Sequence, residues 1–354
     1  EVISTRLRSD YPVGAQLSGG LDSSGIVSVA AKLLQARGQT LTTFSSVLPP
    51  EHTQGLTDER VFIDLFRNWP NIKRHYISAP GSGPFDNLET VVRAYESPLI
   101  STAHYVHTAI AQAARAAGVR VLLDGVHGEI GPSNDGSGHY AELFWRLRWP
   151  ALWRGITARS RVEHKTCQQL FRTQVLAEFR PANLREPQVP PALQPAFVKR
   201  YLAPVHAKPW RLPNQRQQHL ERIKLVMLKH ARGGDGVYHG AEPITFGLPY
   251  RDKRLLEFCL NVPANLKIRD GYARYLLRAG LDGCLPPKIQ GRIDKQPFAP
   301  DYHERYRAQR RFAQDYLAAI APNDPVREVI AVETLKELAR HERTANPDDV
   351  PAGI

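Results

Sequence analysis

The sequence predicts an α/β protein in which a parallel sheet flanked by helices is followed by a helical C-terminal half. Short β-rich runs alternate with helical patterns from Asp10 to about Tyr140, and this alternation is typical of a parallel sheet. The strand signal disappears after Tyr140. A glycine- and serine-rich run joins the first strand directly to a helix, as in many phosphate-binding α/β proteins. We therefore divide the chain into an α/β core, 1–150, and a helical part, 151–354.

Four strands and four helices are predicted in the core. The predicted strands are Val13–Leu17, Leu41–Val47, Ile72–Ile77 and Val119–Leu123. The predicted helices are Ser24–Arg37, Thr57–Asn68, Phe85–Tyr95 and Thr102–Ala117. Gly38 and Gly118 stand where glycine commonly ends a helix, which supports two of these helix ends.

The second half is predicted to consist of helices around a proline-rich crossover. Helical patterns cover Gln215–Ala231, Arg251–Leu260, Tyr272–Ala279 and the last fifty residues. Pro181 to Pro213 holds eight prolines and little periodicity, which indicates a loop or extended crossover. Trp145, Trp149 and Trp153 recur every four residues. This spacing is typical of core packing, with Pro150 placed to break the helix between them.

The composition is that of a globular protein of one large domain or two, with 354 residues, 42% hydrophobic and 23% charged. The net charge of +12 would suit an anionic partner. However, the basic residues are scattered, so nucleic acid is not an expected partner. No run is apolar enough to span a membrane and no secretory leader is visible, so we expect a cytoplasmic protein without membrane contact. Cys167, Cys259 and Cys284 are isolated, which predicts reduced thiols.

A run of small and polar residues joins the first predicted strand to the first predicted helix, and we call it the Ser-Gly-Gly turn (residues 18–24). Its members are Ser18, Gly19, Gly20, Leu21, Asp22, Ser23 and Ser24. Such a turn presents backbone N–H groups and the positive end of the helix dipole to an anion. Glycines allow close approach to phosphate oxygens, and serine hydroxyls donate further hydrogen bonds. Asp22 fits the site as a ligand of Mg²⁺ that bridges the carboxylate to phosphate.

Other glycine-rich motifs do not fit these residues. The G-x-x-x-x-G-K-[ST] motif of nucleoside triphosphatases and the G-x-G-x-x-G motif of dinucleotide-binding proteins are absent from the turn. Gln16 stands where a G-x-S-x-G nucleophile elbow requires glycine, so Ser18 is not a hydrolase nucleophile by this pattern. The turn therefore predicts binding of a nucleotide phosphate.

The Ser-Gly-Gly turn resembles the pyrophosphate-binding loop of the ATP pyrophosphatases, a group that includes asparagine synthetase, β-lactam synthetase, GMP synthetase and tRNA-modifying enzymes. Four stretches that together cover most of the chain resemble the asparagine synthetase branch. They are SDYPVGAQLSGGLDSS, VLLDGVHGEIG, GLPYRDKRLLEF and YLLRAGLDGCLPPKIQGRIDKQPF. The resemblance implies an adenine-nucleotide-binding core that cleaves ATP between its α and β phosphates and transfers AMP to a substrate oxygen. ATP and Mg²⁺ are the cofactors that it implies.

The resemblance also implies roles for residues outside the turn. Glu129 is expected to hold Mg²⁺ together with Asp22, with Asp124 as the competing carboxylate. Lys295 matches the family lysine that neutralises charge on the phosphate and on the tetrahedral intermediate, and Arg292 is expected to share this role. Two further nucleotide-binding residues are expected, Ser46 and Gly125.

The second acidic loop departs from the common family pattern. Val126 stands where β-lactam synthetase carries its catalytic tyrosine, and the incomplete acidic pair makes asparagine synthesis less expected. The pattern LLDG-x-x-GE-x-x-x-S-x-x-G, with Ser133 and Gly136, most resembles that of the lasso-peptide macrolactam synthetases, as does AELFWRLRWPALWR. That resemblance implies adenylation of an Asp or Glu side chain in a precursor peptide. Attack by the peptide's own N-terminal amine then closes an isopeptide ring.

A precursor peptide is therefore the expected partner, together with a protein that recognises or removes its leader. Amidation of free aspartate, a tRNA-modifying adenylating enzyme and a nucleotide-binding protein without turnover remain alternatives. The H-x-E spacing at His127 and Glu129 lacks the P-C-x-x-C that zinc deaminases require. His104 and His107, in a predicted helix after Glu96, are interpreted as structural or surface histidines. The chain begins within a helix-like pattern and contains no glutaminase-like domain, so we expect it to be part of a longer protein.

Overall fold

The computed structural model describes residues 1–49, 55–95, 103–179, 192–202, 212–231 and 244–340. The chain forms two compact units. The first unit consists of Glu1–Ser82, Asn87–Glu178 and Pro213–Asp301. The second consists of Gly83–Asp86, Phe179–Leu212 and Tyr302–Ile354. The first unit takes residues from both sides of position 150, so the second half of the sequence contributes to the core that the first half begins.

A parallel sheet of five strands forms the centre of the first unit, in the order β3-β2-β1-β4-β5. Its strands are β1 Val13–Gln16, β2 Leu41–Ser46, β3 Ile72–Ile77, β4 Val121–Leu123 and β5 Thr245–Gly247. The predicted α/β class and the four predicted strands are confirmed. The expectation that strands end at Tyr140 is wrong, because β5 pairs with β4 in register Leu123 to Gly247. A strand of three residues is too short to show an alternating pattern in the sequence. Strand β5 is therefore recognised only by its pairing with β4.

Fifteen α-helices are present in the described parts of the chain. The first group is α1 Val2–Arg6, α2 Leu21–Gln35, α3 Arg60–Ile63, α4 Leu88–Tyr95, α5 His104–Ala116, α6 His139–Trp145, α7 Trp149–Glu163 and α8 Cys167–Gln174. The second group is α9 Pro195–Phe197, α10 Gln215–Ala231, α11 Lys253–Asn261, α12 Tyr275–Gly280, α13 Pro287–Gln290, α14 Tyr302–Ala319 and α15 Val332–Arg340. Helices α9, α14 and α15 belong to the second unit. Within the described ranges, no helix combines the length and apolar character needed to cross a membrane.

Several predicted helix starts shift for local reasons. Helix α2 begins at Leu21 rather than Ser24, because Gly20 has extended backbone and caps the helix. The predicted helix Thr57–Asn68 is shorter, with α3 followed by a 3₁₀ turn, Asp64–Phe66. Most of the proline-rich crossover lies outside the described residues.

The predicted helix Tyr272–Ala279 begins later than expected because its first residues form a small hairpin. Strands β6 Ile268–Arg269 and β7 Tyr272–Ala273 pair in antiparallel register. Asp270 and Gly271 connect them with positive φ angles of 52° and 86°, as a two-residue hairpin turn requires. Helix α12 follows only at Tyr275.

The tryptophan repeat does not form a core stripe. Helix α6 ends at Trp145 and α7 begins at Trp149, with Pro150 in its first turn, so the predicted helix break is confirmed. Trp149 and Trp153 are 49% and 61% exposed, so the prediction of core packing is wrong for both. Helix α7 buries another face, through Leu152 and other apolar residues. The four-residue spacing places the two rings on one face but does not decide which face is covered.

The core of the first unit lies between the sheet and α2, and it places the end of β1. Ala15 and Leu17 on the β1 side have no exposed surface, and neither have Val27 and Ala30 of α2. Leu17 N donates to Phe44 O at 3.0 Å, which extends the pairing with β2 to the start of the Ser-Gly-Gly turn. The turn is therefore supported by a packed strand on one side and a buried helix on the other.

We predict that Leu123→Ala lowers the free energy of unfolding by about 2–5 kcal/mol, because it leaves a cavity beneath β4. Leu123 has no exposed surface and belongs to the main apolar cluster. Chemical denaturation followed by circular dichroism measures the change. Leu225→Ala on α10 is the control, since Leu225 is 53% exposed and its loss should change stability by about 0.5 kcal/mol or less. Equal effects of the two variants would contradict the placement of β4 in the core.

Candidate functional site

The Ser-Gly-Gly turn forms a compact bend at the carboxyl edge of the sheet. Ser18 N donates to Ser23 Oγ at 3.1 Å, and the two hydroxyl oxygens lie 2.9 Å apart. Gly19 has φ of +71°, and a Cβ at this position would lie 2.9 Å from Phe62 Cβ, so only glycine fits without strain. Gly20 caps α2. The N-terminus of this 15-residue helix thus opens at the edge where parallel sheets bind ligands.

The side chains of the turn divide between the interior and the site. Leu21 is buried in the apolar cluster, and Ser24 has no exposed surface. Leu21 can therefore meet an anion only through its backbone N–H group, whereas Ser24 N already donates to Gly20 O at 3.1 Å. Asp22 is partly exposed, and its side chain points toward the second loop.

The acidic loop (residues 124–131) follows β4 and packs directly on the turn. A Cβ on Gly125 would lie 2.6 Å from Ser23 N. A Cβ on Gly128 would overlap Asp22 Oδ1. Glycine is required at 125 because the backbone of the turn meets it, and at 128 because the Asp22 carboxylate occupies the space of a Cβ. The structure therefore brings Gly125 and Gly128 of the acidic loop against Asp22 and Ser23 of the turn.

Three carboxylates stand at this junction. Asp22 Oδ1 is buried without a hydrogen-bond partner, and Oδ2 lies 3.5 Å from Arg274 Nη1. Asp124 Oδ1 accepts from Val126 N at 2.9 Å, while its Oδ2 is buried without a partner. Glu129 is accessible to solvent, yet desolvation raises its pKa and the charge of Asp22 raises it further. Burial therefore opposes the charged forms of Asp124 and Glu129.

The junction fits Mg²⁺ held by few protein ligands. Among the described residues, no group of three or more His, Cys, Asp or Glu side chains is arranged to hold a metal. Mg²⁺ commonly uses one or two carboxylates, with waters and substrate phosphates completing its shell. Asp22, with its unpartnered oxygen, and Glu129, which interacts electrostatically with it, meet this requirement. Asp124 Oδ2 is a second unpartnered oxygen and makes Asp124 the alternative ligand.

Lys295 lies over the Ser-Gly-Gly turn. Its Cε is 3.6 Å and its Cδ 3.8 Å from the position that a Cβ on Gly20 would occupy. The residue is exposed, and its charge also acts on Asp124 by lowering that carboxyl's pKa against the larger effect of burial. The Lys295 side chain therefore lies beside Gly20, at the N-terminus of α2.

Arg292 has a different environment from Lys295. Only 7% of the residue is exposed, and its guanidinium forms a two-point ion pair with Glu59. Nη1 donates to Gly19 O at 3.1 Å, and Nε donates to Asp294 Oδ1 at 3.1 Å. Arg292 is therefore bonded to the backbone of the turn. Its guanidinium lies 3.7 Å from the ring centre of Phe62.

Ser46 and His107 both contact Phe298, which follows Lys295 in the chain. Ser46, at the end of β2, donates its hydroxyl to Phe298 O at 3.3 Å. His107 stacks on the Phe298 ring with centroids 4.7 Å apart, and burial lowers its pKa to about 4, so the ring is neutral. His104, which lies in α5 together with His107, is also buried. Glu96 lies outside the described residues.

Sequence reasoning missed two charged residues of the site. Arg274, which pairs with Asp22, has φ of +58° and stands immediately before α12. Glu59, which pairs with Arg292, is the residue immediately before α3. Neither lies in a recognisable local pattern: Arg274 is a single charge between Ala273 and Tyr275, and Glu59 is the middle one of three consecutive charged residues. The one available indication was the place of Arg274 in the sequence, directly before the stretch YLLRAGLDGCLPPKIQGRIDKQPF that resembles the family.

The asparagine synthase family matches residues 1–350 of this chain. Members of that family are ATP-dependent ligases that form AMP, and they generally use Mg²⁺ with ATP. Among curated proteins, amidase ChyE of Penicillium rubens is 28% identical over 134 residues, which is 35% of this chain and 20% of that protein. The match thus spans about a fifth of the length of the curated relative.

Asp124 leads us to predict a pH dependence of folding stability. Burial raises the pKa of its carboxyl from 3.8 to about 6. Between roughly pH 4 and 6 the folded state therefore holds a proton that the unfolded state has lost, and stability falls as the pH rises. Asp124→Asn should reduce this fall by about 1–3 kcal/mol.

Urea unfolding at pH 4 and pH 6.5, without nucleotide or Mg²⁺, measures the difference. Asp10→Asn is the control, because Asp10 is exposed. Parallel pH dependences for the wild type and Asp124→Asn would show that Asp124 is not the group responsible.

Proposed function

The chain belongs to the asparagine synthase family, and we propose that it is an ATP- and Mg²⁺-dependent amide ligase that closes a macrolactam in a precursor peptide. The enzyme would adenylate an Asp or Glu side chain and join it to the peptide's N-terminal amine. The observation that carries the proposal is the placement of Lys295, whose Cε lies 3.6 Å from the Cβ position of Gly20. This proximity supports a role for the Lys295 charge at the helix N-terminus that carries Asp22.

The reaction has two steps with defined bond changes. In the first, a carboxylate oxygen of the peptide attacks the α-phosphorus of ATP, and the bond to the bridging oxygen breaks to release pyrophosphate. In the second, the amine nitrogen attacks the acyl carbon and loses a proton, and AMP leaves with the former carboxylate oxygen. One amide and one AMP form for each ATP.

The residues of the site have separate tasks in these steps. The N–H groups of the Ser-Gly-Gly turn bind phosphate oxygens, and Lys295 stabilises the negative charge that develops there and on the tetrahedral carbon. Asp22 and Glu129 would hold Mg²⁺, which neutralises the departing pyrophosphate when bound. The glycines at 125 and 128 keep the acidic loop in contact with the turn, so these groups act on one position.

Two arguments favour a peptide substrate. One is the sequence of the acidic loop, and the other is the lower barrier of an intramolecular reaction. Val126, at the position where β-lactam synthetase carries tyrosine, offers no acid or base. A threaded peptide brings its own amine to the activated carbonyl, and such positioning contributes roughly 7–11 kcal/mol of barrier lowering. We propose that a separate protein recognises or removes the leader of the precursor.

The test is incubation of the protein with Mg²⁺, ATP and the leaderless precursor peptide encoded beside it, followed by mass spectrometry and AMP quantification. We expect the peptide to lose one water for each AMP formed. The same peptide with an acetylated N-terminus is the matched control, because it can be adenylated but cannot cyclise. It should support exchange of pyrophosphate into ATP without losing water.

A parallel reaction with free aspartate and ammonia distinguishes the main alternative. Asparagine formation with an unchanged peptide would overturn the macrolactam proposal and favour amidation of a small molecule. Absence of AMP formation with either substrate would overturn the ligase assignment for this chain.

We predict that Lys295→Met lowers the rate of AMP formation by about 10²–10³-fold, because it removes a preorganised charge from the transition state. Lys253→Met is the control, since the Lys253 side chain is 87% exposed and lies near Glu257 on α11. Its rate should stay within about twofold of the wild type. Steady-state AMP formation measures both variants, and their unfolding curves establish that both are folded. A Lys295→Met rate near that of the control would contradict the role given to Lys295.

A further inference from the structure

We propose that Glu59 is a positioning residue that holds Lys295 over the Ser-Gly-Gly turn, an inference that rests on the proposed function of Lys295. Glu59 is the residue immediately before α3 and is 6% exposed. Its carboxylate bonds the chain on both sides of Lys295, in the part that we call the lysine segment (residues 290–298).

One carboxylate makes all of these contacts. Oε1 accepts from Gln296 N at 2.6 Å and from Arg292 Nη2 at 2.6 Å. Oε2 accepts from Arg292 Nη1. Residues 292 and 296 flank Lys295 at distances of three positions and one position along the chain. The backbone that carries Lys295 is therefore tied to Glu59 before and after it.

The same group ties the lysine segment to the turn. Arg292 Nη1 donates to Gly19 O at 3.1 Å, so the arginine bridges Glu59 and the turn's backbone. The Cβ position of Gly19 lies 3.0 Å from Glu59 Oε2, and this close approach leaves no room for a side chain at Gly19. Phe62 packs against the guanidinium at 3.7 Å. Contacts made by their immediate neighbours thus fix the positions of Lys295 and Gly20 relative to each other.

Other contacts fix the two ends of the lysine segment. Arg278 donates Nη2 to Arg292 O at 2.7 Å and Nη1 to Gln290 O. At the far end, Ser46 donates to Phe298 O at 3.3 Å. Between these anchors, the Glu59 side chain accepts a hydrogen bond from the backbone next to Lys295, at Gln296 N.

We call the contacts of Glu59 with Arg292 and Gln296 the tether. The tether requires a negative charge at position 59. The Arg292 side chain is 3% exposed, and a buried guanidinium requires a buried counterion. Asp294 also contacts Arg292, but its side chain is 66% exposed and accepts only from Nε. Loss of the Glu59 charge leaves Arg292 without a buried partner. We expect the segment to shift and carry Lys295 away from the turn.

A positioning role makes a specific kinetic prediction. Glu59→Gln should lower kcat for AMP formation by about 30-fold or more, with KM for ATP changed by about threefold or less, because Lys295 acts mainly in the transition state. The control is Asp58→Asn. Asp58 is the adjacent carboxylate, and it bonds Leu48 N at 2.8 Å and Arg60 N at 2.9 Å without contacting the lysine segment. Its kcat should stay within about threefold of the wild type.

A double-mutant cycle separates positioning from a general structural effect. In the Lys295→Met background, Glu59→Gln should reduce kcat by less than about twofold further, because the group that it positions is already absent. An equal loss in both backgrounds would overturn the proposal. If Glu59→Gln does not fold, the double variant Glu59→Gln with Arg292→Met removes the buried charges together and restores a neutral interior. It should fold and still show the loss of kcat; a wild-type kcat in that variant would also overturn the proposal.

Hydrogen exchange tests the tether without catalysis. The Gln296 amide donates to Glu59 Oε1, so Glu59→Gln should speed its exchange by about tenfold or more while amides of β2 keep their rates. Unchanged exchange at Gln296 would overturn the proposal even if activity falls. If the wild type forms no AMP but Gln296 behaves as expected, the proposed function fails and the tether stands. If the wild type is active and Glu59→Gln keeps its kcat, the inference fails and the proposed function stands.

Discussion

The contact between two backbone turns at one edge of the sheet is the constraint on which the site depends. Strands β1 and β4 are parallel neighbours, with Ala15 in register with Leu123, so the turns that follow them begin side by side. Gly125 and Gly128 allow the acidic loop to touch the first turn of α2, because a Cβ at either position would meet backbone or Asp22 atoms. This contact brings the helix N-terminus and the carboxylates into one small volume. The proposed binding of phosphate and of a divalent cation depends on this contact.

Charge around this contact is arranged in two layers that behave differently. In the interior, Arg292 and Glu59 are almost fully buried, and a pair of this kind gains little net stability after desolvation but sets position strictly. At the surface, the pair of Arg274 and Asp22 is 3.5 Å apart and partly exposed, so it contributes little energy and leaves Asp22 with a partner-free oxygen. The inner layer is suited to holding the structure, and the outer layer to exchanging partners with substrate and metal.

The second half of the sequence completes the site that the first half begins. Lys295 and Gly20 meet although 275 positions separate them. Tyr250 donates its hydroxyl to Asp22 O at 3.0 Å and supports the start of α2 from the opposite end of the chain. The proposed adenylation therefore depends on long-range packing, and so does the proposed enclosure of a folded peptide.

The sequence by itself determined the α/β class, four of the five strands, the Ser-Gly-Gly turn and the family resemblance, because these reside in short contiguous patterns. It also identified Asp22, Glu129 and Lys295 as candidates. Only the tertiary structure revealed β5, the exposure of Trp149 and Trp153, and the partners of Arg274 and Glu59. Strand pairing, the choice of buried face and the neutralisation of a buried charge each involve a neighbour distant in the chain. No local pattern encodes the identity of that neighbour.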